Sequence, residues 1–366
     1  MDKERISSTQ VAMLLFLVIT ATDILFVPGI VAQTVRQSAW LVFISSSLTG
    51  LTALWIISKL GQRFPRLTLP QYSEIILGKI SGKIISAAYV LFFLTVNILV
   101  NREFSEFLTN SLSIGTSMLI LNTAIVLVSG YGAFKGIEVI IRMAQFVLPL
   151  FVFSFLFLFT LAVPNVDLEK LLPLFEGGFQ PIFSGSIVPA SFYGEIVVLV
   201  MLLPIVNHPQ EVRRKALYTL LAITGFSALG TLIMLTVIGP DLMGHLLFPL
   251  WYLARAIEFK SYIQRIEGLV FPLWITGVVV KSTVFYYLAC LATAQVLGLK
   301  THKTVVCVFA PVQIMAATFL FGNMFQLYDV LNKYWPPLGL VFEVVLPLLL
   351  LMIAALRKKR QGVMAP

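Results

Sequence analysis

The chain has 366 residues, 58% of them hydrophobic and only 12% charged, with a formal net charge of +9 and a mean hydropathy of +0.94. A soluble domain carries about 25% charged residues, so the composition excludes a soluble enzyme and predicts a polytopic, all-α membrane protein. Its long apolar runs must be helices, because lipid cannot satisfy backbone polar groups.

About 20 apolar residues are needed to cross the hydrocarbon core. Ten spans are predicted on that basis, at about residues 9–33, 38–60, 82–109, 113–131, 139–163, 184–206, 216–239, 268–297, 304–322 and 336–356. The start, Met1–Arg5, is short and carries both signs. The apolar run behind it exceeds a signal-peptide core and lacks a small-residue cleavage site, so it is read as an uncleaved first span. Lys59, Arg63, Arg66, Lys79 and Lys83, then Lys135 and Arg142, Arg213, Arg214 and Lys215, Lys300 and Lys303, and Arg357–Arg360 fall on the side of the N-terminus. Arg36, Arg102, Lys170, Arg255, Lys260, Arg265 and Lys333 fall on the other. That asymmetry makes both termini cytoplasmic and demands an even number of spans. It also explains the positive charge without nucleic acid.

The first span reads Ile19-Thr20-Ala21-Thr22-Asp23, then Pro28-Gly29. Its centre is small, polar and acidic, with a helix breaker beyond. The sixth repeats the pattern with Ser184-Gly185-Ser186, Pro189 and Ser191-Phe192-Tyr193-Gly194-Glu195. Transporters place substrate at the midplane between inverted repeats, in helices unwound at their centres. Five spans separate the two starts, and an odd repeat inverts orientation. The pair therefore points to broken first and sixth helices around a site, although two proline-kinked packing helices give the same pattern. Residues 1–163 form the first five-helix repeat in this reading, 184–356 the second, and 357–366 a basic cytoplasmic tail.

On the third span Asn97 and Asn101 share a face and either line the cavity or bond between helices. Arg102, Glu103 and Glu106 are placed near its outer end, within reach of water, with no chemistry assigned. The connector 240–267 carries Leu250, Leu253, Ile257, Tyr262 and Ile266 among charges; it reads equally as an amphipathic helix over the outer mouth or as a solvated link. Lys281 lies midway along the eighth span, where a lone cation costs a few kcal/mol or more. With Asp23 and Glu195 at comparable depth, it marks a binding or coupling site. Glu343 on the tenth span is placed closer to the outer interface than to the centre.

Cys290 and Cys307 read as inert thiols, and the histidines lack a helical partner, so no metal or cofactor is expected. Gly78-Lys79-Ile80-Ser81-Gly82-Lys83 has the wrong glycine spacing for a phosphate loop, and no nucleophile–histidine pairing marks an enzyme.

Several stretches resemble the B subunits of bacterial spore germinant receptors, a branch of the amino acid–polyamine–organocation transporter superfamily. They are Ile6-Ser7-Ser8-Thr9-Gln10, Ile24-Leu25-Phe26-Val27-Pro28, Ala39-Trp40, Arg63-Phe64-Pro65, Phe192-Tyr193-Gly194-Glu195 with Pro204, Arg265-Ile266-Glu267, Trp274 and Lys281. Gln37-Ser38, where relatives carry an acid, and Asp23, where they are often small and neutral, depart from the pattern. The resemblance implies a LeuT-like fold of two inverted five-helix repeats in the spore inner membrane. It also implies a small germinant, an amino acid or sugar, with A and C subunits as partners. In transporters of this architecture the first and eighth helices can hold sodium, so the resemblance places the Lys281 ammonium in that position. There it would brace the first helix at the Ala21–Asp23 carbonyls, with Asp23 or Glu195 as counter-charge. The expected ligand-binding residues are Thr20, Ala21, Thr22, Asp23, Asn97, Ser191, Tyr193, Gly194 and Glu195. A proton- or ion-coupled amino acid transporter, and a structural subunit whose charges serve assembly, are the competing readings.

Overall fold

The computed structural model describes residues 6–111, 115–257 and 266–360, and those residues are almost wholly helical. Helix α1 (Ser8–Val35) starts from a capping box in which the Ser7 hydroxyl accepts from the Gln10 amide and the Gln10 side chain accepts from the Ser7 amide. From Leu14 to Ala32 it is buried on every side, as a helix apolar all round must be. At Arg36 the backbone turns to φ 51° and a 3-10 turn, Arg36–Ser38, leads into α2 (Ala39–Arg63). Next come α3 (Leu69–Leu77), α4 (Lys79–Ser111), α5 (Met118–Lys135) and α6 (Ile137–Ala162).

The sixth span is broken as expected. It comprises α7 (Gln180–Gly185), α8 (Ile187–Tyr193), a 3-10 turn over Gly194–Val198, α9 (Leu199–Leu202) and a second 3-10 turn over Leu203–Ile205. The first span is not: α1 runs unbroken through Thr20–Asp23. Nothing between Ile19 and Asp23 is glycine or proline, and the Thr20 hydroxyl bonds back to the Phe16 carbonyl at 2.6 Å, within the helix. Pro28 lies more than a turn beyond Asp23, and α1 accommodates it internally.

The second half holds α10 (Pro209–Ile238), α11 (Pro240–His245), α12 (Pro249–Ala256), α13 (Glu267–Leu297) and α14 (Lys303–Phe319). Helix α12 turns Leu250, Leu253 and Ala254 inward, while Tyr262 and Arg265 of the same connector lie outside the described residues. The last span is longer than expected: α15 (Met324–Asp329), a π-turn at Val330–Tyr334, α16 (Trp335–Leu340), a second π-turn at Val341–Val345 and α17 (Leu346–Leu356). Proline has no N–H for the carbonyl four residues back. Pro336, Pro337 and Pro347 each follow a π-turn holding that residue, so the helix absorbs them by widening.

Eight helical stretches among the described residues are long and apolar enough to cross a membrane. The longest, Ser8–Arg63, contains two spans, and α14 is a shorter apolar helix of 17 residues. These account for the ten expected. Helix α1 packs against α6, α10, α13 and the sixth span at the centre. The outer helices expose Leu127, Phe146, Phe153, Phe319 and Leu356, the surface a bilayer would cover.

Candidate functional site

Lys281 is fully buried. Its ammonium lies 2.7 Å from Glu195 Oε1 and 2.8 Å from Thr22 Oγ1, to which it donates. The Phe192 ring stands 5.3 Å away, offering its face to the cation, a contact that strengthens as water is removed. Three residues make one turn of a 3-10 helix, so the tightened turn at Gly194 lets Phe192 and Glu195, three apart, address the same ammonium. On α13, Trp274 lies two turns from Lys281 on the same face, and its indole N–H donates to the Ala21 carbonyl at 2.6 Å. Two side chains of α13 thus hold α1 at Ala21 and Thr22.

The remaining expected residues separate. Asp23 points to α10, where Ser227 Oγ donates to Oδ2 at 2.7 Å; the counter-charge of Lys281 is Glu195. The Lys281 ammonium meets α1 at the Thr22 hydroxyl, while the carbonyl held from α13, that of Ala21, accepts from Trp274. The Thr20 and Ser191 hydroxyls bond to carbonyls of their own helices, Phe16 and Val188. Tyr193 packs the base of its side chain against α2 beside Gly50, and its hydroxyl reaches the surroundings of Asp23, Thr224 and Ser227. Asn97 donates to Gln313 on α14, and Asn101 accepts from Ser282 at 2.8 Å. Of their two readings, the bond between helices is the one seen.

Two placements are corrected. Arg102, Glu103 and Glu106 are each 2% exposed. Arg102 pairs with Glu106 at 2.6 Å and donates to the Ala317 and Thr318 carbonyls at 3.1 and 2.8 Å, so it is fully engaged away from water. Glu343 is fully buried against Gly194, because the tenth span begins at Met324 and not at Pro336. The proline pair read as a helix start is internal. Ser227 and Gln313 were also missed. Each is one small or neutral polar residue in an apolar helix, which carries no signal of its partner. Among the described residues no cluster of His, Cys, Asp and Glu could hold a metal.

Buried polar atoms without partners occur at several places among the described residues, Tyr72 and Tyr328 included, and at this centre they are the carboxyl oxygens Asp23 Oδ1, Glu195 Oε2, Glu103 Oε2 and both of Glu343. Such atoms are rare unless a site uses them. Chemically, those oxygens are acceptors open to a donor group, beside an ion pair already satisfied.

A profile described as spore germination protein matches residues 5–325. Spore germination protein KB of Bacillus subtilis (strain 168) is 24% identical over 367 aligned positions, covering 99% of this chain and 97% of that one. Spore germination protein YndE of the same organism is 22% identical over 361 positions, covering 97% and 98%. Among solved structures, the chain is similar to MHP1, a nucleobase-cation-symport-1 family transporter in a closed conformation with bromovinylhydantoin bound. The TM-score is 0.70 at 14% identity, with 97% of this chain and 93% of that one covered. A Na+-coupled sialic acid symporter in its substrate-bound outward-open state gives 0.65 at 14% identity, with 93% and 78% covered. These likenesses show the fold: the LeuT-like arrangement expected from the sequence.

Proposed function

The chain belongs to the spore germination protein family, and from that premise we propose that it is the germinant-sensing membrane subunit of a spore germinant receptor. In this reading it lies in the spore inner membrane with both termini cytoplasmic, binds a small nutrient at the centre of the bundle, and acts with A and C subunits. The carrying observation is the Lys281–Glu195 pair, braced to Thr22 and buried where α1, α13 and the broken sixth span meet. A free α-amino acid carries an ammonium and a carboxylate, the complement of that pair. Its carboxylate would take the Lys281 ammonium and its ammonium the carboxylate of Glu195. Such an exchange keeps the site neutral, whereas an uncharged sugar would leave the pair in place. An amino acid is therefore the favoured ligand class.

A panel of amino acids and sugars added to the purified protein, read by thermal unfolding, tests this. One or more amino acids should raise the unfolding temperature of the natural protein and leave Lys281→Met unmoved. Stabilisation by sugars alone, or equally in the Lys281→Met variant, would refute the pair as the ligand site. A working transporter is the second reading, favoured by the fold shared with two cation-coupled carriers. Uptake of labelled ligand by sealed proteoliposomes decides it: a sensor binds label and a transporter accumulates it.

A further inference from the structure

The buried charges do not balance. Lys281 is matched by Glu195 and Arg102 by Glu106, which leaves Asp23, Glu103 and Glu343 within the bundle. Asp23 accepts a hydrogen bond from Ser227. Glu343 is fully buried and receives no donor at either oxygen. It projects from the second π-turn, the kind of helix irregularity found mostly at functional sites.

Its place is built by Gly194, with Gly339 in ordinary contact beside it. A Cβ on Gly339, one turn earlier, would lie 3.6 Å from both carboxyl oxygens. A Cβ on Gly194 would overlap the carboxyl itself and come within 2.9 Å of the Glu343 Cβ. Ser191 packs alongside, but its hydroxyl is donated to the Val188 carbonyl. The ionisable groups that face Glu343 are Glu195 on the sixth span, Lys281 on α13 and Tyr89 on α4. The Tyr89 hydroxyl is donated to the Phe342 carbonyl at 2.6 Å and the Lys281 ammonium to Glu195 and Thr22. Helix α2, also packed on this π-turn, carries its charges, Lys59 and Arg63, only near its C-terminal end.

We propose that Glu343 is a proton-binding site of the bundle, its neutral carboxyl lodged against Gly194 in the break of the sixth span and ionised only when that span moves away. A carboxylate left without donor or cation in a dry site is far more costly than the neutral acid. Movement of the sixth span away from Glu343 would admit water; the proton passes to that water and the carboxylate gains its donors from the water. Opening of the sixth span thus releases one proton, so low pH favours the closed bundle and high pH the open one. This holds whichever small molecule the centre takes.

Infrared difference spectra test it without a ligand. The natural protein minus Glu343→Gln at neutral pH should show the C=O stretch of a protonated carboxyl lost in the variant. Loss of carboxylate stretches alone would overturn the proposal. Should the glutamine variant not insert, Glu343→Asp takes its place: the protonated-carboxyl band must shift, and an unshifted band overturns it. Coupling is read separately with Ser191→Cys in a Cys290→Ser, Cys307→Ser background, as maleimide labelling corrected for thiol ionisation. Over the range where the proton is released, labelling should rise by up to about tenfold per pH unit, the limit for one linked proton. It should be flat when Glu343→Gln is added. An equal slope in both backgrounds would show that another group governs opening.

Discussion

The Lys281 ammonium is held by a carboxylate, a hydroxyl and an aromatic face, with no exposed surface to fall back on. Removing one member of such a pair strands the other, which typically costs about 3–5 kcal/mol. Lys281→Met should therefore lower the unfolding temperature sharply and abolish the germinant response. Lys281→Met combined with Glu195→Gln removes both charges and should recover most of the stability while the response stays absent. A response restored in that double variant would leave the pair with an assembly role only. Lys281→Arg should also impair the response, because a planar guanidinium does not fit a point-charge site. Asp23 offers a smaller test of the same kind. Ser227→Ala deprives Oδ2 of its one side-chain donor among the described residues, and an unsatisfied buried group costs about 1–3 kcal/mol. Thermal unfolding in detergent reads both effects.

The broken sixth span and the π-interrupted tenth meet at Gly194 and Glu343. Gly194 has an ordinary φ of −68°, so its need for glycine is one of space, not of backbone conformation. A methyl there would overlap the Glu343 carboxyl. Gly194→Ala should therefore destabilise the protein, and Gly194→Leu should abolish the response. Glu343→Ala should recover much of the loss in the alanine variant, giving a coupling energy of about 0.5–3 kcal/mol, as for residues in contact. Additive losses would mean that the two elements do not bear on one another. The sixth-span break was legible because Pro189, Gly194 and Pro204 fall inside one apolar run beside an acid. The continuity of α1 was not. Its Thr-Ala-Thr-Asp centre suits either a helix or a break, and only the packing of α13, with Trp274 and Lys281 gripping Ala21 and Thr22, accompanies the helical outcome. The depth of Glu343 was misjudged for a related reason: Trp335-Pro336-Pro337 reads locally as a helix start, while the span in fact begins eleven residues earlier, at Met324.

Across the whole molecule, polar ties collect at the two ends of the bundle in the pattern the basic residues suggest. At one end Ile6 exchanges backbone hydrogen bonds with Ile205 and Asn207, at 3.1 and 2.9 Å. There Lys215 donates to Ser8 and Thr9, at 2.8 and 2.9 Å, and Arg357 to the Ile76 carbonyl at 3.0 Å, which ties the C-terminal end of α17 to α3. At the other end Arg36 pairs with Asp241 at 2.7 Å and Lys170 donates to the Val237 carbonyl at 2.7 Å, joining the turns after α1, α6 and α10. The first end carries Arg63, Arg66, Lys79, Lys83, Arg213, Arg214 and Arg357–Arg360, the kind of excess on which the proposed cytoplasmic placement of that end rests. The test uses single cysteines in a Cys290→Ser, Cys307→Ser background: Lys79→Cys at the first end and Asn165→Cys at the second, both at exposed positions. In intact cells an impermeant maleimide should modify Asn165→Cys and spare Lys79→Cys, with both modified once the membrane is made permeable. Labelling of Lys79→Cys from outside would invert the topology. The packing at Lys281 would stand unchanged.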